Sequence, residues 1–291
     1  MIELERTDGG ARTVLPELPP RRLTLRVGGD RLAAVMTGPE PALRPSLVFL
    51  HDSLGSIARW DEFARDLAQA CNFGALIYDR LGYGCSDGLP APYTRPLEYM
   101  HIEALRKLPR VLDETGIRDA VLVGHSEGAS IALLAAADHD PRIAAVVAIA
   151  PLLFVEDRTV QAVRATVDSW RNTDLREQLR KYHGANVEGA FAGWSQTWLS
   201  PEFRSFNIVN YVQTIRCPIL AIQGDADAYG SRAQIDAIAL AAPDLTETLV
   251  LPGCGHAPQY EARDRVLAAI ADFAARAIAR RAAAGLKRSA G

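Results

Sequence analysis

The most informative part of the chain is residues 120–128, which read AVLVGHSEG. The four apolar residues at its start predict a buried strand, and the run that follows at 129–136, ASIALLAA, is a strong helix former. Between them Gly124 and Gly128 lack a Cβ, so a strand and a helix can approach each other closely around a sharp turn. This order places Ser126 at the apex of the turn.

A serine at the apex of such a turn is lifted out of the packed sheet, an arrangement called a nucleophile elbow. Its hydroxyl is a poor nucleophile until a base takes the proton. The pattern G-x-S-x-G also occurs in ordinary strand-to-helix turns, so it needs support from the rest of the chain. Ser126 is therefore a candidate nucleophile on condition that a base and an orienting acid are found elsewhere.

The composition narrows the class of protein. A chain of 291 residues with 48% hydrophobic residues is large enough for one α/β domain with an insertion, or for two small domains. Its net charge of −3 gives no basic field for nucleic acid. No apolar run is long enough to predict a membrane span, and residues 1–22 lack the apolar segment of a signal peptide. Four scattered cysteines indicate reduced thiols and a cytoplasmic protein.

The first half of the chain alternates between strand and helix patterns. Residues 23–27 and 32–36 flank a Gly-Gly-Asp turn and predict a β-hairpin. Short apolar runs then predict buried parallel strands at 47–50, 75–78, 120–123 and 143–149. Helical spacing of apolar residues appears at 60–67 and at 103–112, where Pro109 predicts a kink. This alternation is typical of a mainly parallel sheet with right-handed crossovers.

The alternation stops after residue 151 and resumes near residue 219. Strands are predicted at 219–222 and 248–251, and a closing helix at 262–276. The intervening span is far longer than an ordinary connection, so we expect it to contain helices of its own. The predicted organisation is an α/β core at 22–151 and 215–291, a helical cap inserted at 152–214, and an N-terminal extension at 1–21.

Candidates for the base and the acid lie just past the late strands, because site residues of an open parallel sheet gather at the carboxyl ends of its strands. Asp225 and Asp227 follow one strand, and His256 follows the next in a glycine-rich loop. His256 alone among the six histidines stands in such a position. Both aspartates are candidates for the acid.

Several further motifs are similar to those of the α/β-hydrolase fold superfamily. Residues 50–55 (LHDSLG) look like its oxyanion loop, and residues 78–87 (YDRLGYGCSD) are similar to its D-x-x-G-x-G-x-S signature. Residues 224–227 (GDAD) resemble G-x-x-D, and residues 255–256 resemble the terminal G-H. The chain order serine, acid, histidine also matches. The resemblance implies an α/β fold with a mostly parallel eight-stranded sheet flanked by helices.

The same resemblance assigns roles to residues of this chain. Ser126 is the expected nucleophile, His256 the base, and Asp227 the acid in preference to Asp225. Asp157, beyond the preceding strand, is a third candidate for the acid, because some members of the superfamily place it there. The oxyanion donors implied are the backbone N–H groups of Glu127 and Ser53. The chain departs from the family at Asp52, where glycine is usual, so the conformation of this loop is open.

Three further residues, His51, Trp194 and Trp198, are predicted to line the substrate pocket. The side chain of Glu127 is explained by its place in the first helical turn, at the positive end of the helix dipole. No metal site is predicted, because H-E-x-x-H and ligand-spaced cysteines are missing from the sequence. No cofactor is predicted either, since neither a dinucleotide fingerprint nor a P-loop is present.

The expected function is a serine hydrolase that cleaves an ester, lactone or thioester of a small to medium hydrophobic acyl substrate. A carbon–carbon bond hydrolase with the same three residues remains an alternative. A non-catalytic ligand receptor on the same fold is an alternative from another class. We expect a monomer or a homodimer that binds neither nucleic acid nor membrane.

Overall fold

Eight strands form one sheet in the computed structural model, which describes residues 19–289, with side chains through residue 284. Residues 1–18 of the predicted N-terminal extension lie outside the described residues. The strands are β1 Arg21–Val27, β2 Asp30–Thr37, β3 Ser46–Leu50, β4 Gly74–Tyr78, β5 Ala120–His125, β6 Ile143–Ile149, β7 Ile219–Gly224 and β8 Thr246–Leu251.

The spatial order of the strands is β1-β2-β4-β3-β5-β6-β7-β8. The β1–β2 and β2–β4 pairs are antiparallel, and every other pair is parallel. The predicted mostly parallel eight-stranded sheet is therefore confirmed. Strands β3 to β7 are buried along their whole length, because helices cover both faces, which explains their continuous apolar sequences.

Eleven α-helices lie in the described part of the chain. They are α1 Ile57–Cys71, α2 Tyr99–Ile102, α3 Leu108–Thr115, α4 Glu127–Ala137, α5 Asp157–Asn172, α6 Leu175–His183, α7 Val187–Leu199, α8 Val209–Val212, α9 Ala233–Ala241, α10 Pro258–Glu261 and α11 Arg263–Ser289. Helices α1 and α11 pack on one face of the sheet around Trp60 and Phe273. Helices α3, α4 and α9 contribute to the core on the other face.

The helix predicted over residues 103–112 is present, and helical structure runs from Tyr99 to Thr115 without a break. A π-helical stretch at Glu103–Lys107 joins α2 to α3, and the N–H of Leu108 donates to the carbonyl oxygen of Glu103, five residues earlier. Pro109 follows directly, and proline has no N–H to donate within a helix. The irregularity predicted at Pro109 thus takes the form of a π-helical stretch before the proline.

The segment predicted as an inserted cap, residues 152–214, contains helices α5 to α8 and no strand of the sheet among its described residues. Within these described residues, Phe154 and Asn207 form an isolated antiparallel β-bridge. Among residues 19–289, no helix is both long and apolar enough to cross a lipid bilayer.

Candidate active site

Ser126 lies between β5 and α4 in a backbone conformation that few residues adopt. Its φ is 55° and its ψ is −119°, and its N–H donates to the carbonyl oxygen of Ile149 at 2.9 Å. Such a conformation costs of order 1–3 kcal/mol and persists only where surrounding structure enforces it. The side chain is 3% exposed. The fold therefore holds this serine rigidly at the carboxyl edge of the sheet.

Glycine is required on both sides of this turn. A Cβ at Gly124 would overlap the backbone of Gly128, and a Cβ at Gly128 would overlap the carbonyl group of Leu50. Strand β5, helix α4 and strand β3 thus meet at distances that no side chain permits. The G-x-S-x-G spacing follows from this close approach.

A chain of hydrogen bonds joins Ser126, His256 and Asp227. The Nε2 atom of His256 lies 3.0 Å from the Oγ of Ser126, and its Nδ1 lies 2.8 Å from Oδ2 of Asp227. A carboxylate accepts, so the Nδ1 of His256 carries the proton and Nε2 faces the serine hydroxyl as an acceptor. The three residues follow β5, β8 and β7 respectively, where the carboxyl ends of parallel strands converge.

Asp227 is held as a carboxylate by the groups around it. Its Oδ2 also accepts from the Nε2 of Gln223 at 2.7 Å, and its Oδ1 accepts from the N–H groups of Tyr229 at 2.7 Å and Gly230 at 3.3 Å. Burial by itself would raise the pKa of Asp227, but the bond from His256 and these backbone donors outweigh it and lower the pKa. The acid is therefore ionised and fixed in orientation.

The other two acid candidates have different partners. Asp225 is exposed, and its Oδ1 accepts from the N–H of Gly253 at 2.6 Å. Asp157 is 84% exposed and pairs with Arg204 at 2.5 Å at the start of α5. The histidine bond is made by Asp227.

In the loop after β3, one of the predicted site residues faces the cavity and another is buried behind the loop. Ser53 lines the same cavity as Ser126. His51, predicted as a pocket residue, is fully buried behind the loop and does not line that cavity. Its Nε2 accepts from the N–H of Arg80 at 3.1 Å, and its Nδ1 donates to the carbonyl oxygen of Asp52 at 2.7 Å. Burial and the nearby Arg80 hold the pKa of His51 well below its ordinary value, so the ring is neutral.

Glu127 has two separate environments. Its N–H is at the first position of α4, where the helix itself offers no acceptor. Its side chain is fully buried, and it accepts from Arg80 Nη2 at 3.2 Å, from Trp198 Nε1 at 2.7 Å and from the hydroxyl of Tyr99. The helix dipole alone, expected from the sequence, is therefore an incomplete account of this carboxylate. Arg80 and Tyr99 lie 47 and 28 positions away in the chain, so no local pattern indicated them.

Asp52, the residue that replaces the usual glycine, lines the cavity and is half-buried. Its Oδ1 lies 3.6 Å from the Nδ1 of His125, whose Nε2 lies 2.7 Å from the carbonyl oxygen of His256 and donates to it. Burial would raise the pKa of Asp52, but His125 and the nearby Arg59 outweigh it and lower the pKa. An ionised carboxylate therefore lines the same cavity as Ser126.

His183 of α6 is a further buried residue whose contacts the sequence did not indicate. It is buried, its Nδ1 accepts from the N–H of Gly84 at 3.1 Å, and its Nε2 donates to the carbonyl oxygen of Leu54 at 3.1 Å. Burial lowers the pKa of His183, so the ring is neutral. It ties the helical segment to the loop that carries Ser53.

The cavity above Ser126 is narrow, with a volume of about 80 Å³. Its walls include both predicted tryptophans, Trp194 and Trp198. The lining residues are Asp52, Ser53, Leu54, Ser126, Leu152, Thr159, Val163, Trp194, Trp198, Tyr229 and His256. No lysine or arginine is among these described residues, and no cluster of metal ligands occurs anywhere in the described part of the chain.

Comparison with known families and proteins gives a consistent result. A family model described as alpha/beta hydrolase fold matches residues 45–207. The chain is 26% identical over 237 residues to alpha/beta hydrolase domain-containing protein aho-3 of Caenorhabditis elegans, covering 81% of this chain and 59% of that protein. It is 32% identical over 105 residues to a proline iminopeptidase of Lactobacillus helveticus, covering 35% of this chain and 34% of the relative. The chain thus spans about a third to three fifths of these relatives.

Solved structures share the fold at low sequence identity. An enol-lactonase from Burkholderia xenovorans has a TM-score of 0.67 at 22% identity, with 86% of this chain and 99% of that chain covered. A thermophilic esterase from Thermogutta terrifontis has a TM-score of 0.68 at 18% identity, with 88% and 99% covered. At such identities the likeness is one of architecture.

Proposed function

The chain belongs to the alpha/beta hydrolase fold family, and from this premise we propose that it is a serine hydrolase that cleaves a small acyl ester, lactone or thioester through an acyl-enzyme on Ser126. One observation carries the proposal. The hydroxyl of Ser126, both nitrogens of His256 and the carboxylate of Asp227 are joined by hydrogen bonds of 3.0 and 2.8 Å beside a cavity.

The proposed reaction moves one proton through His256 twice. Its Nε2 takes the proton of Ser126 while Oγ attacks the carbonyl carbon, and the oxyanion accepts hydrogen bonds from the N–H groups of Glu127 and Ser53. His256 then protonates the leaving oxygen or sulfur as that bond breaks. A water molecule, deprotonated by His256, attacks the acyl-enzyme, and Ser126 recovers its proton as the acid departs. Asp227 stabilises the imidazolium formed in each step.

Cavity size and charge support a short, uncharged acyl group as substrate. A volume of about 80 Å³ is well below that of pockets for drug-sized ligands, which are roughly 300–1,000 Å³. The walls combine Trp194 and Trp198 with aliphatic side chains, which favours an apolar group. The carboxylate of Asp52, with no lysine or arginine among the described lining residues, disfavours a substrate with its own carboxylate near the scissile bond.

A second candidate function is the release of an N-terminal residue from a short peptide. Asp52 favours it, because an ionised carboxylate in the cavity is a suitable partner for a substrate ammonium group. The partial match to proline iminopeptidases supports the same class of substrate. Hydrolysis of proline 4-nitroanilide faster than p-nitrophenyl butyrate, with the advantage lost in Asp52→Asn, would favour this candidate over the esterase.

Labelling by a fluorophosphonate probe tests the nucleophile. We expect wild-type protein to be labelled and Ser126→Ala to be unlabelled. Ser130→Ala is the matched control, since Ser130 is a buried serine of α4 whose hydroxyl donates to the carbonyl oxygen of Leu152 at 2.6 Å. A folded wild-type protein that resists labelling would contradict the proposal and favour a non-catalytic ligand receptor.

A turnover panel then identifies the substrate class. It contains p-nitrophenyl esters from acetate to octanoate, δ-valerolactone, an acetyl thioester, proline 4-nitroanilide and a vinylogous diketone that reports carbon–carbon cleavage. We expect the shortest esters to have the highest kcat/KM, because the cavity is narrow. Preference for the vinylogous diketone would replace the esterase by a carbon–carbon bond hydrolase.

We also propose a cytoplasmic protein that acts as a monomer or a homodimer. The four cysteines are free, which agrees with a reducing compartment. Cell fractionation and light scattering on the purified protein test both points.

A further inference from the structure

On the basis of the hydrolase function proposed above, we propose that Arg80 is a positioning residue of the oxyanion hole. It fixes the peptide group between Asp52 and Ser53, whose N–H is one donor, and it neutralises the side chain of Glu127, whose backbone N–H is the other. Arg80 would thereby help to hold the first donor in place and balance the charge beside the second, from behind the cavity and without touching substrate.

The guanidinium of Arg80 is only 2% exposed. Its Nη2 lies 3.0 Å from the carbonyl oxygen of Asp52, 3.2 Å from that of His51 and 3.2 Å from Oε2 of Glu127, and its two N–H groups are shared among these three acceptors. One nitrogen therefore joins the loop after β3 to the first residue of α4. These are the two segments that would supply the oxyanion donors.

The contact with Asp52 helps to fix where the N–H of Ser53 points. The carbonyl of Asp52 and the N–H of Ser53 belong to the same planar peptide group, and in a trans peptide they point in opposite directions. Three groups donate to this oxygen: Nη2 of Arg80 at 3.0 Å, Nδ1 of His51 at 2.7 Å and the N–H of Gly55 at 3.2 Å. Together they fix the plane of the peptide, and Arg80 is the charged donor among them, so it polarises the peptide most and makes the N–H of Ser53 a stronger donor.

The contact with Glu127 has an electrostatic consequence. Glu127 is fully buried and adjoins Ser126, where negative charge develops on the substrate oxygen during attack. An uncompensated carboxylate here would oppose that charge in a medium of low dielectric constant. Arg80 balances it at 3.2 Å, while Trp198 and Tyr99 satisfy the other oxygen. The buried pair thus makes the electrostatic surroundings of the oxyanion favourable.

If the ion pair only stabilises the fold, its removal should change stability and leave kcat unchanged in a folded variant. Three variants separate that role from the positioning role proposed for Arg80. Arg80→Met leaves Glu127 buried without its partner, which can unfold the protein. The double variant Arg80→Met/Glu127→Gln removes both charges, so it restores the charge balance but leaves the Asp52–Ser53 peptide without its guanidinium. Arg95→Met is the matched control, since Arg95 and Arg80 lie 4.7 and 4.8 Å from the Tyr83 ring centroid and Arg95 donates to Leu81.

The readouts are kcat and KM for p-nitrophenyl acetate and the inhibition constant of phenylboronic acid, which forms a tetrahedral adduct with a reactive serine. In the double variant we expect a melting temperature near that of wild type, kcat reduced roughly 10- to 100-fold, and KM within about threefold. The inhibition constant of the boronic acid should rise by a similar factor, because an oxygen of its adduct accepts hydrogen bonds from the same donors. Arg95→Met should keep wild-type values.

Two results would overturn the proposed role of Arg80 and leave the hydrolase proposal intact. One is a wild-type kcat in a folded double variant, and the other is a reduced kcat with an unchanged inhibition constant for the boronic acid. Should the double variant fail to fold, Arg80→Lys takes its place, and wild-type kcat there would show that the guanidinium is not needed. A wild-type protein that reacts with neither fluorophosphonate nor any ester would remove the hydrolase proposal itself, and the Arg80 role with it.

Discussion

Replacing Asp227 by asparagine should reduce kcat about 10⁴-fold, because it reverses the proton arrangement of His256. The oxygen of the new amide would stay with the N–H groups of Tyr229 and Gly230, which now bond Oδ1 at 2.7 and 3.3 Å. Its NH₂ group would then face His256 Nδ1 and Gln223 Nε2, where Oδ2 now accepts at 2.8 and 2.7 Å.

Two donors cannot share that contact, so the imidazole must present a bare Nδ1 and carry its proton on Nε2. In that form it cannot take the proton of Ser126, which lies 3.0 Å away. It also loses the carboxylate that stabilises the imidazolium. A 10⁴-fold decrease corresponds to about 5 kcal/mol in activation free energy.

The assay is steady-state hydrolysis of the best ester from the substrate panel, together with the rate of fluorophosphonate labelling. Asp225→Asn is the matched control in the same turn, since Asp225 is exposed and bonds only the backbone of Gly253 in this region. We expect that variant to remain within about threefold of wild type, as for most exposed substitutions. Wild-type-like turnover in Asp227→Asn, or equal losses in both variants, would refute the assignment.

Three further changes have definite expected outcomes. Gly128→Ala should lower the free energy of unfolding by about 2–3 kcal/mol in urea titrations, because the new Cβ overlaps the carbonyl of Leu50. Asp52→Asn should raise kcat/KM for esters that carry a carboxylate by about tenfold relative to neutral esters, as competition assays would show. The pKa of Asp227 is lowered in the folded state, so its stabilising effect is present above about pH 4 and disappears as the pH falls through the lower folded value. Acid titrations should therefore show a smaller loss of stability in Asp227→Asn than in wild type.

Much of the fold follows from local patterns in the sequence. Buried parallel strands are short apolar runs, and those at 47–50 and 143–149 correspond closely to Ser46–Leu50 and Ile143–Ile149 in the structure. The elbow around Ser126 was equally readable, because close backbone approach leaves only glycine at two positions. The π-helical stretch before Pro109 was less readable, since a proline inside a helical pattern predicts an irregularity and not its form.

The amino-acid sequence by itself determined the strand order along the chain, the place of Ser126 at a strand end, and the loops that hold Asp227 and His256. These features depend on residues that are neighbours in the chain. The family resemblance had favoured Asp227 over Asp225, and in the structure it is Asp227 that bonds His256. Only the tertiary structure decided that His51 lies behind its loop and that Arg80 meets Glu127. Such contacts join segments far apart in the chain, and their hydrogen-bond geometry is fixed only when the sheet and helices pack together.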